Sequence, residues 1–137
     1  MSLHYLKKAS GLNTIKVPPD EHRSVLVVCD TQTPSDNDCQ IIHDWIHETP
    51  DEPAKYVCFA GAFSEQAHDD YDWLNIKNDR FALTTWHNDG VIDDIAFFFL
   101  QTVTMVQKGM HAQIVISYGM NAYEQQLVKT MKTWDYE

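Results

Sequence analysis

At 137 residues, with ten Lys and Arg against twenty Asp and Glu, this chain carries a formal net charge of −10. That length points to one domain with a core of ordinary size. The acidity argues against any partner with a phosphate backbone, so no nucleic acid is expected. The charge is concentrated: between Asp36 and Asp94 fourteen acidic residues face only Lys55, Lys77 and Arg80. Such a surface favours solubility and can steer a basic partner.

Taken in chain order, residues 1–23 read as a lead-in, and residues 24–137 as a single α/β domain. Pro18 and Pro19 forbid a helix at that point and suggest an extended approach to the first predicted strand, while the segment before them is open to a short helix or an extra edge strand. That strand, Val25–Asp30, is a near-continuous aliphatic run, the pattern of a strand buried on both faces of a parallel sheet. Ser35 or Asp36 is placed to cap the helix that follows. Ile41, Ile42, Trp45 and Ile46 repeat at helical spacing and are expected to face the sheet. Thr49 and Pro50 end that helix.

A second strand is expected over Lys55–Gly61, then a helix capped by Ser64 with Ala67, Tyr71, Trp73 and Leu74 as its apolar positions. That helix is acidic and weakly amphipathic, which suggests a peripheral element. The third strand is read over Phe81–Trp86, and a third helix from Asn88-Asp89-Gly90 to about Gln107, closed by Lys108 and Gly109. The fourth strand spans Gln113–Gly119, and Asn121 caps a last helix ending near Trp134.

Four strands alternating with helices predict a three-layer α/β/α sandwich on a mainly parallel sheet. The order adopted is the flavodoxin-like 2-1-3-4. Ligands in such sheets bind where chain direction reverses, at the carboxyl ends of the strands. That rule selects a crevice between strands one and three. Thr31, Gln32 and Thr33 would line one side, Trp86 and Asn88 the other, with Tyr118 nearby. Asp30, His87 and Asp89 are the acid/base candidates, with water, Ser117 or Tyr118 as the nucleophile.

Thr31-Gln32-Thr33-Pro34-Ser35 resembles the hydroxyl-rich phosphate loop of flavodoxins over those five residues. That family has glycine where Pro34 stands; proline deletes an N–H that would hold phosphate, and Asp36 and Asp38 add negative charge. No cofactor is therefore expected. Asp30-Thr31-Gln32 resembles the end of the first strand of isochorismatase-like hydrolases, but nothing here clearly supplies that family's lysine and cysteine. His43 and His47 share one helix face at the spacing of a zinc-binding pair. Asp44 stands in place of the glutamate and no third ligand follows, so no metal is expected. Cys29, Cys39 and Cys58 lack CxxC spacing and read as reduced packing residues.

On the third helix, Phe98 and Met105 fall on the same stripe as Asp94, Gln101 and Lys108. That places two apolar side chains on a face expected to meet water, a pattern that marks interfaces. The longest apolar run, Ile95–Leu100, is far short of the roughly 20 residues of a membrane span. No apolar signal-peptide core follows the N-terminal charges. A cytoplasmic location without a membrane partner is expected. The leading functional expectation is a non-catalytic binding protein, immunity- or antitoxin-like or self-associating, whose partner is a protein or a second copy. The rival is a small-molecule binder or hydrolase-type enzyme using the crevice.

Overall fold

Strands that are apolar on both faces must sit inside a sheet, with a neighbour on each side and helices above and below. Three segments meet that description: β2 (His22–Val28), β3 (Lys55–Ala60) and β5 (His111–Ser117), each buried along nearly its whole length. Two shorter strands close the edges: β1 (Ser2–Leu6) and β4 (Leu83–His87). The computed structural model describes residues 2–48, 53–88, 90–102, 111–118 and 121–134. The sheet order is β1-β5-β2-β3-β4, and every pairing is parallel.

Two cores sandwich this sheet. On one face a 3-10 helix (Ala9–Thr14), α1 (Asp36–Ile46) and α2 (Ser64–Asn78) pack on Val25, Val27, Val57, Phe59, Ile114 and Ile116. On the other, α3 (Ile92–Phe97) and α4 (Ala122–Trp134) pack on Leu26, Val28, Cys58 and Val115. The α/β class and three layers agree with the sequence reading. The strand count and order do not. The described residues form five strands, and the chain passes from β2 through β3 to β4 before it reverses to β5. The expected order reversed one strand too early. The physical reason is burial: β3 is enclosed throughout, whereas β4, with Thr84 and Thr85, is the strand that tolerates an edge. The residues read as a lead-in supply β1, which pairs with β5 from Ser2↔Ala112 to Leu6↔Ile116.

Local signals behaved as helix chemistry requires in two cases out of three. Ser35 caps α1, its hydroxyl accepting from the Asp38 N–H at 3.1 Å. Asn121 caps α4, with the Glu124 N–H donating to its side-chain oxygen at 3.0 Å. Ser64 does not cap α2: it is the first helical residue, buried, and Phe63 occupies the cap position without a side-chain bond. Nor is α2 peripheral, since Ala67 and Tyr71 are fully buried in the core. α3 widens into a π turn over Phe98–Thr102. Gln113 on β5 donates its side-chain N–H to the Phe99 carbonyl at 2.7 Å where the helix widens, so a buried donor in a central strand is satisfied there. The expected ends at Thr49-Pro50, Gln107 to Gly109 and Gly119 lie outside the described residues, as do Asp89 and Met105.

Arg23 on β2 is the largest fully buried side chain. Its guanidinium donates to the Trp45 carbonyl at 2.7 Å, to the Val17 carbonyl at 3.2 Å and to Glu48 at 3.2 Å. It also lies 4.7 Å over the Trp45 ring. One cation thus joins the residues before β2 to the carboxyl end of α1, where the helix dipole favours positive charge. The three cysteines are free and buried, and burial pushes each thiol up to about 12, so they remain protonated packing groups. No helix among the described residues is long and apolar enough to cross a membrane.

Candidate functional site

The observed order moves the reversal point to the boundary between β2 and β5. There the carboxyl ends of both strands are tied together by one carboxylate. Asp30 Oδ2 accepts from the Asn121 side chain at 2.6 Å, and its Oδ1 accepts from the Ala62 N–H at 2.9 Å. Both oxygens are engaged, so Asp30 links the loops that follow β2, β3 and β5. Tyr118 lies at the same end, partly buried against the α1 face, and burial with Asp38 beside it raises its hydroxyl well above the ordinary range. Ser117 donates to Glu124 at 2.9 Å, and Glu124 is buried at the first turn of α4. Thr31 and Gln32 are exposed and Thr33 is half-buried on the loop leading to α1.

The other candidates lie elsewhere. His87 and Trp86 are on β4, separated from β2 by the whole of β3, and Asn88 is exposed just beyond. The structure therefore brings Asp30 and Tyr118 to one strand boundary and leaves His87, Trp86 and Asn88 at the far edge. The His87 Nε2 meets the Thr85 hydroxyl at 3.2 Å, and its ring lies 4.9 Å from that of Phe98. Burial holds this imidazole below its ordinary range. Phe98 is accordingly half-buried under β4 and packs against the core.

Among the described residues, the largest concentration of exposed apolar side chains is on and beside the β4 edge. Ile76 and Phe81, 65% and 79% exposed, border with Leu83 a hollow of about 540 Å³ that Asp72, Asp79 and Arg80 also line. Trp73 is exposed one turn earlier on α2, and Trp86 is exposed farther along β4. Trp86 is not loose: its ring lies 4.6 Å from His68, which meets the Thr84 hydroxyl at 3.0 Å and Asp69 at 2.9 Å. His68 is thus the buttress of an exposed tryptophan. The signal for this edge was present in the sequence as Trp73, Ile76, Phe81, Leu83 and Trp86. Their shared location required the strand order.

His43 and His47 are both buried, with ring centres 4.5 Å apart in the seam between α1 and α2. The His47 Nε2 meets the Asn75 side-chain oxygen at 3.0 Å, and Asn78 reaches His43 Nε2 at 3.5 Å. Among the described residues no group of three or more His, Cys, Asp or Glu is placed to hold a metal. Burial lowers His47 to about 4, with the neighbouring His43, Arg80 and Lys55 adding to it against the Asn75 bond. His43 is lowered as well, chiefly by burial. The unfolded chain, with an ordinary imidazole near 6.5, binds the proton that the folded chain refuses. Stability is therefore greatest above that value and is lost as pH falls toward about 4. The expected cost from His47 is on the order of 2 kcal/mol across that window. Urea unfolding of wild type and His47→Leu between pH 7 and pH 4 measures it. A wild-type curve with the same pH slope as the variant would remove this assignment.

No curated protein and no solved structure matches this chain. One family does, over nearly the whole sheet and its helices from β1 to α4. Its match spans residues 3–133, and the chain belongs to that family, described as a domain of unknown function (DUF7684).

Proposed function

We propose that this protein is a non-catalytic interaction module that captures an extended, basic and apolar segment of a protein partner along the β4 edge. The observation that carries the reading is the group of large exposed side chains on and beside an edge strand: Leu83 and Trp86 on β4, Phe81 just before it, and Trp73 and Ile76 on the neighbouring α2. Exposed apolar edge strands invite pairing with another chain, and soluble proteins normally suppress them with charge, proline or cover. Here β4 has no proline, and the nearby acids Asp69, Asp70, Asp72 and Asp79 lie on α2 and its end. Strand addition takes its affinity from main-chain hydrogen bonds and its specificity from alternate side chains. An acidic flank selects a basic segment and speeds its approach.

A second copy of the chain is the weaker choice for this edge, because two-fold pairing through β4 brings two sets of those acids together. The crevice reading has less support than the edge, since Asp30 spends both oxygens on the loop bonds and His87 sits two strands away.

The test is titration of the protein with an eight-residue peptide of alternating Val and Lys, followed by tryptophan fluorescence and amide chemical shifts. Binding is expected to perturb Leu83 to His87 and to weaken as salt rises. Trp86→Glu is expected to reduce affinity at least tenfold, equivalent to about 1.4 kcal/mol. Equal binding of a Val/Asp peptide, or no response at β4, would refute the proposal.

A further inference from the structure

The opposite edge of the sheet has a different character. Strand β1 is covered on one face by the 3-10 helix, but on the other face α4 lies beside α3 and reaches only its flank. The space left between α4 and the β1–β5 edge is a groove of about 760 Å³. Tyr5, Leu6, Val115 and Val128 give it an apolar lining. Lys7, Lys129 and Lys132 also line it, three of the ten cations of an otherwise acidic chain.

We propose that this groove binds a small amphipathic anion: a carboxylate or phosphate carried on an acyl or aryl body. The size falls within the range of small-molecule sites, which are mostly apolar with a few placed polar groups. Charge complementarity selects the ligand. Among the described residues none of the three lysines is ion-paired with a carboxylate, unlike Arg23 with Glu48. The one acidic side chain in the lining, Glu124, is 1% exposed and accepts the Ser117 hydroxyl at 2.9 Å. Its charge is thus turned inward, while the cations stay at the exposed rim. Lys132 is held with its ammonium 4.9 Å over the Tyr5 ring, which spans the groove from α4 to β1. Along α4 the wall residues Gln125, Val128, Lys129 and Lys132 follow one helical stripe, so apolar body and anionic head meet one continuous surface. This site is independent of the β4 edge and does not depend on the function proposed for it.

The competing account is that Lys129 and Lys132 serve only the helix dipole near the end of α4. Titration of the full chain with octanoate, octyl phosphate, octylammonium and octyl glucoside, followed by amide chemical shifts and calorimetry, separates the two. The anions are expected to shift Val115, Ser117 and Val128 and to bind at least tenfold more tightly than octylammonium or octyl glucoside. Preference between octanoate and octyl phosphate identifies the head group. Lys129→Gln with Lys132→Gln is expected to weaken anion binding at least tenfold. Val128→Phe, which fills the groove without changing charge, is expected to abolish it. Equal binding of octyl glucoside, absence of shifts at those three residues, or unchanged anion affinity in both variants would overturn the proposal.

Discussion

Replacing Gly61 with alanine is expected to cost more than about 3 kcal/mol, a large part of the stability of a domain this size. Gly61 follows β3 with φ +113, a conformation that side-chain-bearing residues rarely adopt. Space is the harder constraint. A Cβ there would lie 2.8 Å from the Asp30 nitrogen and the Cys29 carbonyl carbon, and 2.9 Å from the Asp30 Cα. These are backbone atoms at the end of the strand in the middle of the sheet, so no flexible side chain can yield. The same turn is fixed from three sides. The Gly61 N–H donates to the His87 carbonyl at 3.0 Å, its carbonyl accepts from Ser64, and Phe63 donates to the Cys29 carbonyl at 3.0 Å. An alanine must break these bonds or displace β2 from β3. With a urea slope of roughly 2 kcal/mol/M, the unfolding midpoint is expected to fall by at least about 1.5 M. A midpoint within error of wild type would show that this close approach does not hold.

Arg23→Met is expected to destabilise by about 3 kcal/mol, although methionine fills much of the same space. The loss comes from the acceptors left behind. The Trp45 and Val17 carbonyls lose donors at 2.7 and 3.2 Å, and the carboxyl end of α1 loses its buried positive charge. Arg23→Lys is expected to recover little, because an ammonium cannot donate as a planar fork while stacking on Trp45. Glu48 marks the contrast. Its side chain is 65% exposed, so Glu48→Ala is expected to cost under about 1 kcal/mol despite removing the same ion pair. Urea unfolding of the three variants decides the matter. Equal losses for Arg23→Met and Glu48→Ala would mean that the ion pair, and not the carbonyl bonds, is what the arginine supplies.

The elements were readable wherever local chemistry decides them. The aliphatic runs of β2, β3 and β5, the Ser35 and Asn121 caps and the α1 face of Ile42, Trp45 and Ile46 all follow from spacing and side-chain type. The order of the strands is a non-local property, and it decided the site. The unbroken apolar run Tyr56–Ala60 against the two threonines of Leu83–His87 was the available signal that the former is central and the latter an edge. Without it, His87 was placed across a crevice from Asp30 when a whole strand separates them. Five alternating residues carry too little pattern to distinguish the edge strand β1 from a short helix or an extended lead-in. Helical periodicity places His43 and His47 on one face of the helix, but it shows a direction and not the partner. Only α2, bringing Asn75 and Asn78 across, turns that direction into a buried seam. The lysine-lined groove had no sequence signal, since Lys7 and Lys129 are brought together only when β1 pairs with β5.

That pairing also sets the order in which the chain can fold. Of the five strands β1 is made before the others, yet its neighbour is β5, made after them. β2 likewise has one of its two neighbours there. During synthesis β2, β3 and β4 can associate with α1 and α2 while the amino-terminal strand has nothing to pair with. Closing the sheet then requires a loop that spans every element between β1 and β5, an entropic cost that slows folding in parallel sheets. Until β5 arrives, one flank of β2 presents its open hydrogen-bonding groups to any other strand in reach, the condition under which nascent chains aggregate.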